Sequence, residues 1–425
     1  MAVNDLDYDL LTHTGPGTPG GELIRRYWQP AGLSEEIPAG GAPLPIRLLG
    51  EDLVLFRDET GTPGLIGLHC AHRGADLSYG RLEDGGLRCI YHGWLYDREG
   101  RCLEQPGEPA GSTFHERIRQ TAYPCTEKAG IVFAYLGPGQ PPLLPAYYFL
   151  GGPDECTFVH KYHHDCNYLQ SNEGNIDPSH LSYLHHFLKE EPSVGWSEAF
   201  TNPRGAAVSS NTLFGQDMSP QLEVEETDYG VRIFSVRNAG ASEKYVRVTN
   251  FIYPNGFGIP TQGGWHVPID DTHHWKFQIM RAPQPMDRQK MKQDMLKSMT
   301  ADYHHVRNRG NRYMQNRDEM RTRSVAGLGP IFQNHDNWAT ESPGAMQNRA
   351  EEHLAYTDKA IFKARQVLLR AIRDLQAGED PPHVIRNAEQ SRIPHLVSLQ
   401  EVVPNTVDWR TYWQTKMVEE PLVHA

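Results

Sequence analysis

Apolar and polar positions change their rhythm three times along the chain. A short helical segment is expected between Leu23 and Pro30, followed by Pro and Gly punctuation across 37–43. From about Leu44 to Leu136, short apolar runs at 46–49, 53–56, 64–68, 87–91 and 130–135 alternate with turn residues and predict strands of a small all-β unit. The segment 137–145, with four prolines and two glycines, reads as a linker. Strand-like runs return at 221–225, 230–236, 244–252 and 274–280, which predicts an antiparallel sheet with one buried face. Between Arg349 and Gln376 the residues Leu354, Ile361, Leu368, Ile372 and Leu375 keep one helical stripe, with Gly378 as its stop signal. The expected class is α+β: a helical lead over 1–43, a β domain over 44–145 and a larger domain over 146–425.

Two ligand-type clusters fall on this frame. The first is Cys70-Ala-His72, sixteen residues, then Cys89-Ile-Tyr-His92. One iron of a Rieske [2Fe–2S] cluster takes two thiolates and the other two imidazoles, and each half of this motif offers one of each. A structural zinc site is the alternative, but it pairs Cys with Cys and His with His. A glycine follows in each half, Gly74 and Gly93, which suits a tight loop around a cluster.

The second cluster is Asp177-Pro-Ser-His180-Leu-Ser-Tyr-Leu-His185. Two histidines and one carboxylate on one face hold an Fe(II) that activates O₂, and the carboxylate can come from elsewhere in the chain. Pro178 at a first helical turn predicts a helix starting there, with His180 and His185 about 140° apart around it and a distortion between them. His186 replaces His185 if the register slips. Asp177 is alternatively a helix N-cap. Tyr245, Arg247, Thr249 and Phe251 share a strand face, so Arg247 is either a solvent or ion-pair residue or an anchor for an anion.

Taken together these motifs resemble the Rieske non-haem iron oxygenases, closest to the phthalate dioxygenase type of oxygenase subunit. The resemblance runs over nearly the whole chain and includes Ile24-Arg-Arg-Tyr-Trp-Gln-Pro30, Tyr91-His-Gly-Trp94, Glu173-Gly174, His266-Val-Pro-Ile-Asp-Asp271 and Gln333-Asn-His-Asp336-Asn-Trp-Ala-Thr-Glu341-Ser-Pro-Gly344. It implies a Rieske domain ahead of a helix-grip catalytic domain, with His180, His185 and Asp336 holding the iron. Glu341 is the fallback ligand. The family usually carries Met where this chain has Pro343. The resemblance further implies a head-to-tail homotrimer, or stacked trimers, in which Asp177 links His180 to a cluster histidine, His92, of the next protomer. Arg247 resembles a substrate-binding arginine of the family, and Arg204 is a second candidate.

Composition narrows the setting. The chain has 425 residues and 38% hydrophobic residues, its mean hydropathy is -0.59, and no apolar stretch approaches the roughly 20 residues that span a bilayer. The start, Met1-Ala-Val-Asn-Asp-Leu-Asp, is acidic and unlike a signal peptide. Outside the motif, Cys102, Cys125, Cys156 and Cys166 are expected as reduced thiols in a cytoplasmic protein. A net charge of -12 argues against nucleic acid, yet leaves room for a local basic surface that docks an electron donor.

The expected function is an oxygenase subunit that uses O₂ and electrons passed from NAD(P)H by a separate flavin and iron–sulfur reductase or a ferredoxin. The expected substrate is an aromatic carboxylate, lignin-type or phthalate-like. Hydroxylation or O-demethylation is favoured over ring cis-dihydroxylation, which uses the same iron. A quaternary-ammonium (betaine-type) oxygenase would need an aromatic cage. A plain Rieske electron carrier would need no second motif and often has Cys where Ala75 stands.

Overall fold

The computed structural model describes residues 5–188, 204–206 and 209–417. The N-terminal half is built from β1 (Gln29–Leu33), β2 (Leu44–Leu48), β3 (Glu51–Arg57), β4 (Pro63–Gly67), β5 (Arg81–Glu83), β6 (Gly86–Arg88), β7 (Leu95–Tyr96), β8 (Cys102–Glu104), β9 (Ala122–Tyr123), β10 (Cys125–Lys128) and β11 (Ile131–Ala134). They form three small antiparallel sheets in the orders β1-β11-β10, β2-β3-β4-β9 and β5-β6-β7-β8. Strand β3 shows why its apolar run is unbroken. Leu53 and Leu55 point into the main core, while Val54 and Phe56 point into a second core shared with Cys70, Cys89, Trp94 and Tyr96. Successive side chains face opposite ways along a strand, so a layer between two cores is apolar at every position.

The helix expected over Leu23 to Pro30 lies earlier than that. It comprises α2 (Pro19–Arg25), preceded by α1 (Asp5–Thr12), and by Gln29 the chain has entered β1. Pro30 sits there without cost because β1 is an edge strand with a register shift between Pro30 and Gly32. The strand expected over 87–91 ends at Arg88, where the second ligand loop begins.

The C-terminal half centres on an 8-stranded antiparallel sheet in the order β12-β18-β17-β16-β15-β14-β13, with β19 also paired to β15. Its strands are β12 (Thr157–His164), β13 (Gln221–Thr227), β14 (Gly230–Asn238), β15 (Glu243–Ile252), β16 (Gly256–Ile259), β17 (Gln262–Pro268), β18 (His274–Arg281) and β19 (Leu399–Pro404). The helices are α3 (Tyr168–Ile176), α4 (Ser210–Gln216), α5 (Arg288–Met295), α6 (Glu319–Thr322), α7 (Phe332–Glu341), α8 (Lys359–Gln376) and α9 (Trp409–Tyr412). Helix α8 buries Ala360, Ala364, Val367, Leu368, Ala371 and Ile372 against α1, α2 and the sheet. It starts ten residues later than the stripe from Arg349 suggests: Asp358, its N-cap residue, turns its carboxylate back to accept from Ala355 N and closes a short turn ahead of the helix, and Leu354 before that turn is 40% exposed. Gly378, at φ +88°, ends it as expected. No helix among the described residues is long and apolar enough to cross a membrane.

A larger departure concerns the second motif. Helix α3 precedes it rather than starting at Pro178, and Asp177 is extended (ψ 108°). The residue before a proline is driven out of the α region, so Pro178 closes the helix. Beyond it there is only a short 3₁₀ turn, His180–Ser182, whose amides Ser179 N and His180 N donate to Asp177 at 2.7 and 3.3 Å.

A buried ion cluster fastens α3. Arg349 Nη1 and Arg365 Nε each reach Glu173 at 2.6 Å, and Arg365 Nη1 also reaches Glu352 at 2.5 Å. Burial opposes the Glu173 charge, but the two guanidinium groups hold its carboxyl below the usual range. Glu173→Gln leaves two buried arginines to share one carboxylate. Its expected cost is about 3–5 kcal/mol, read as a lower denaturant midpoint. Because the native carboxyl titrates below its unfolded value, its contribution is full above the ordinary carboxylate range and fades on acidification. The variant's stability is therefore expected to fall less steeply at low pH than that of the wild type.

Candidate metal centres and their cavity

Both ligand loops of the first motif close in the same way. Gly74 N donates to Cys70 O at 2.8 Å and Gly93 N to Cys89 O at 2.9 Å, while Cys70 N and Cys89 N donate onward to Ala75 O and Trp94 O. Each closure needs a left-handed residue, and Gly74 and Gly93 supply it at φ +73° and +76°. The loops bring Cys70 and Cys89 together in the second core, 4% and 3% exposed. His72 and His92 meet at the rim with ring centroids 4.5 Å apart, and Trp94 stacks on His72 at 4.5 Å. Burial, then the neighbouring Cys70, pushes the Cys89 thiol up. The buried His72 Nδ1 has no hydrogen-bond partner among the described residues. Two crowded thiols and an orphaned imidazole nitrogen beside a second imidazole fit a [2Fe–2S] cluster of Rieske type. Tyr96, a residue that sequence reasoning missed, places its hydroxyl 3.2 Å from Cys70 Sγ.

The second motif meets α7. Ligand atoms of His180, His185 and Asp336 lie within 4.8 Å of one another. Asp336 Oδ1 is 2.9 Å from His185 Nε2 and 3.6 Å from His180 Nε2. Burial opposes the Asp336 charge, yet the two histidines hold its carboxyl well below the usual range. The structure leaves Glu341 elsewhere: it accepts from Asp165 N at 2.9 Å and from Tyr313 Oη at 2.7 Å. The His186 ring packs beside Gly215 on α4.

Hydrogen bonding behind His185 sets its tautomer. Gly329 O can only accept, so His335 Nε2 donates to it at 2.8 Å. Burial and then His185 push His335 down to about 4, so its ring is neutral and Nδ1 accepts from His185 Nδ1 at 3.3 Å. That leaves the His185 Nε2 lone pair facing the Asp336 carboxylate. Two lone pairs at that distance call for a cation between them, and two imidazoles with one carboxylate suit a first-row metal such as Fe(II). His335 was not foreseen, although it directly precedes Asp336 in the sequence.

His180 is held from the other side. Its Nδ1 lies 3.4 Å from Asp177 Oδ2. Burial opposes its charge, but Asp177 and Asp336 hold its pKa above the ordinary value. Arg237, a further residue missed from the sequence, crosses from β14 and donates to Pro178 O at 2.8 Å and Ser182 Oγ at 2.9 Å, pinning the turn.

Beside the three ligand-type residues is a cavity of about 140 Å³. Its floor is one face of the sheet, where strand pairing aligns Thr249, Ile259, Gln262, His266, Lys276 and Gln278. Arg247 lines it and spends Nη1 on Gln400 Oε1 at 2.7 Å. Arg204 is exposed, bridged to Glu401 on β19, and is not part of this lining.

Residues 27–122 match the Rieske [2Fe-2S] domain and residues 134–424 the family described as LigXa C-terminal domain like. The oxygenase subunit of phthalate 4,5-dioxygenase from Pseudomonas putida is 36% identical, covering 95% of this chain and 93% of its own. The oxygenase subunit of 5,5'-dehydrodivanillate O-demethylase from Sphingobium sp. is 29% identical over 89% of this chain and 82% of its own. Among solved structures, the oxygenase of carbazole 1,9a-dioxygenase in its reduced complex with ferredoxin superposes with a TM-score of 0.54 at 22% identity, covering 92% of this chain and 98% of that one. The chain belongs to the Rieske non-haem iron oxygenases, as an oxygenase subunit of the phthalate dioxygenase type.

Proposed function

We propose that this subunit oxygenates aromatic carboxylates, by hydroxylation or O-demethylation, with electrons delivered from NAD(P)H through a separate reductase or ferredoxin. The observation that carries the reading is the charge of the cavity. Two cationic side chains, Arg247 and Lys276, line it, whereas its carboxylates, Asp177 and Asp336, both engage the motif histidines. With both carboxylates engaged, the two cationic side chains favour an acid over the quaternary ammonium of the betaine-type alternative. A plain electron carrier has no use for a substrate-sized cavity beside a second ligand triad.

When bound, the cluster would pass electrons singly and the iron would activate O₂. Cys70, Cys89, His72 and His92 would hold the first group, and His180, His185 and Asp336 the second. His335 and Asp177 orient the two imidazoles of the second group and raise their basicity. Arg247 would receive the substrate carboxylate on its free N–H groups, and Phe214 and Phe332 in the cavity wall would face the ring.

A homotrimer, or stacked trimers, would supply the electron path. His92 is exposed beside Ile90 and Tyr91, which are 63% and 56% exposed, and Tyr183 of the second motif and Leu188 just beyond it are 64% and 44% exposed. These two apolar rims support docking of one protomer's cluster loop on the next protomer's iron site. Asp177, with 21% of its side chain exposed, would then bridge His180 and His92 of the partner subunit. The six free cysteines suit a cytoplasmic enzyme.

Oxygen uptake with a reductase and a panel of aromatic acids tests the reading. Consumption coupled to at least one acid is expected, and uptake with quaternary ammonium compounds alone would contradict it. In the same assay Arg247→Met is expected to weaken the productive acid by about 2–5 kcal/mol while the methyl ester binds as before. Equal losses for acid and ester would point to misfolding instead. His335→Phe keeps the ring stack but removes the acceptor for His185. It is expected to lower mononuclear iron affinity by about 10–100-fold with the cluster absorbance unchanged. Unchanged iron content under limiting iron would remove His335 from that role.

A further inference from the structure

Three histidine doublets meet at one end of the sheet. His163-His164 closes β12, His273-His274 stands at the start of β18, and His304-His305 follows Tyr303, whose carbonyl accepts from His163 N at 2.9 Å. Adjacent side chains of an extended chain face opposite ways, so each doublet divides. His163, His273 and His304 gather outside, with His163 stacked on His304 at a ring separation of 4.2 Å. His164, His274 and His305 gather inside, where His164 lines the cavity, stacks on His274 at 4.7 Å and meets His305 edge-on at 5.6 Å.

The inner rings are unequally served. His274 Nδ1 donates to Cys166 O at 2.8 Å, and its Nε2 meets His266 Nδ1 at 3.2 Å. His164 and His305 are 4% and 6% exposed, yet neither nitrogen of either ring has a hydrogen-bond partner among the described residues. Burial, then His274, holds His164 well below its ordinary pKa; burial, then Lys276, holds His305 down to about 3. Both rings are therefore neutral, each with one N–H and one lone pair to satisfy. Buried polar atoms left without partners are costly, and ordered water is the usual remedy. The 5.6 Å between these two rings is within reach of two hydrogen bonds through one water.

The neighbouring cavity gives such a chain a use. Inserting one oxygen atom of O₂ into a C–H bond and releasing the other as water consumes two electrons and two protons. The electron donor supplies the electrons, and the protons come from solvent. The cavity carboxylates are not free to give them, because Asp177 and Asp336 both engage the motif histidines. His305 stands one residue from the surface, between His304, whose side chain is 45% exposed, and Val306, 39% exposed. A neutral imidazole that takes a proton on its lone pair as it gives up the one on its other nitrogen passes a proton inward and is neutral again.

We propose that His305 and His164, joined by ordered water, form a proton path from the edge of β12 to the catalytic cavity. The inference rests on the oxygenase chemistry and does not depend on which acid is bound.

A crystal structure of the holoenzyme with its ordered water tests the path without any substrate. Water within hydrogen-bond distance of a ring nitrogen of both His164 and His305 is expected; rings with no such water, or with a metal ion in its place, overturn the proposal. Turnover in H₂O and in D₂O, with an acid that supports oxygen uptake, tests its use. His305→Phe removes both nitrogens and keeps a ring beside Tyr162. It is expected to lower kcat about 100-fold and to enlarge the solvent isotope effect, with KM within about twofold of the wild type. His305→Gln restores polarity, but its amide cannot pass a proton between its ends, so the same pattern is expected with melting and iron content intact. Wild-type kcat in either variant overturns the proposal, as does a loss that leaves the isotope effect unchanged or that appears equally in KM. Absence of uptake with every acid would contradict the aromatic-acid reading alone, and the crystal structure would still decide the path.

Discussion

A carboxylate buried between two arginines holds the helix from which the iron motif emerges. Glu173 on α3 is gripped by Arg365 of α8 and by Arg349, with Glu352 balancing the charge. Helix α3 is also tied to α7 and the turn after it through Gln170, which donates to Thr340 O at 2.8 Å and Gly344 O at 3.0 Å, and through Ser171, bonded to Thr340 Oγ1 at 3.1 Å. Helix α3 delivers Asp177 and His180, and α7 delivers His335 and Asp336. The geometry of the triad is thus set by contacts several residues away from any ligand. Breaking a buried ion cluster of this kind would shift two helices and with them three ligand atoms.

The sheet supplies the other half of the site through a division between its faces. On β17 and β18, Trp265, Val267, Phe277 and Ile279 point into the main core. The alternate residues, Gln262, His266, Lys276 and Gln278, point to the cavity. A strand buried on both faces ordinarily reads as apolar throughout. Here the polar alternation survives burial because one face is a binding floor. Gln278 is itself engaged by Tyr162 at 2.6 Å, and Tyr162 by His160, so most polar groups on that floor are satisfied within the protein. Lys276 differs from them in lacking such a partner among the described residues.

Local motifs were legible in the sequence, and long-range geometry was not. The Cys70–His72 and Cys89–His92 loops could be read because each is a five-residue closure that ends on a glycine. The strands of the two β units showed themselves by apolar runs and turn residues. The start of the iron motif was misread because Pro178 fits a first helical turn as well as a helix stop, and only tertiary packing decides between them. Strands β16 and β17 carry Gly256, Gly258, Gly263 and Gly264, which weaken a strand signal. In the structure these glycines allow close approach; a Cβ on Gly264 would lie 2.0 Å from Phe277 O. His335 and Arg237 act through partners 50 or more residues distant, so neither spacing nor periodicity marks them.

In the function proposed above, electrons would cross from a cluster to the iron of a neighbouring protomer, and Asp177 would be the residue on which that crossing depends. Single-turnover oxidation of the pre-reduced cluster in Asp177→Asn protein, followed at the cluster absorbance with both metal sites loaded, isolates this step. An amide keeps the shape but cannot support two imidazoles with negative charge. The rate is expected to fall by orders of magnitude with iron content unchanged; oxidation at the wild-type rate would contradict the bridge.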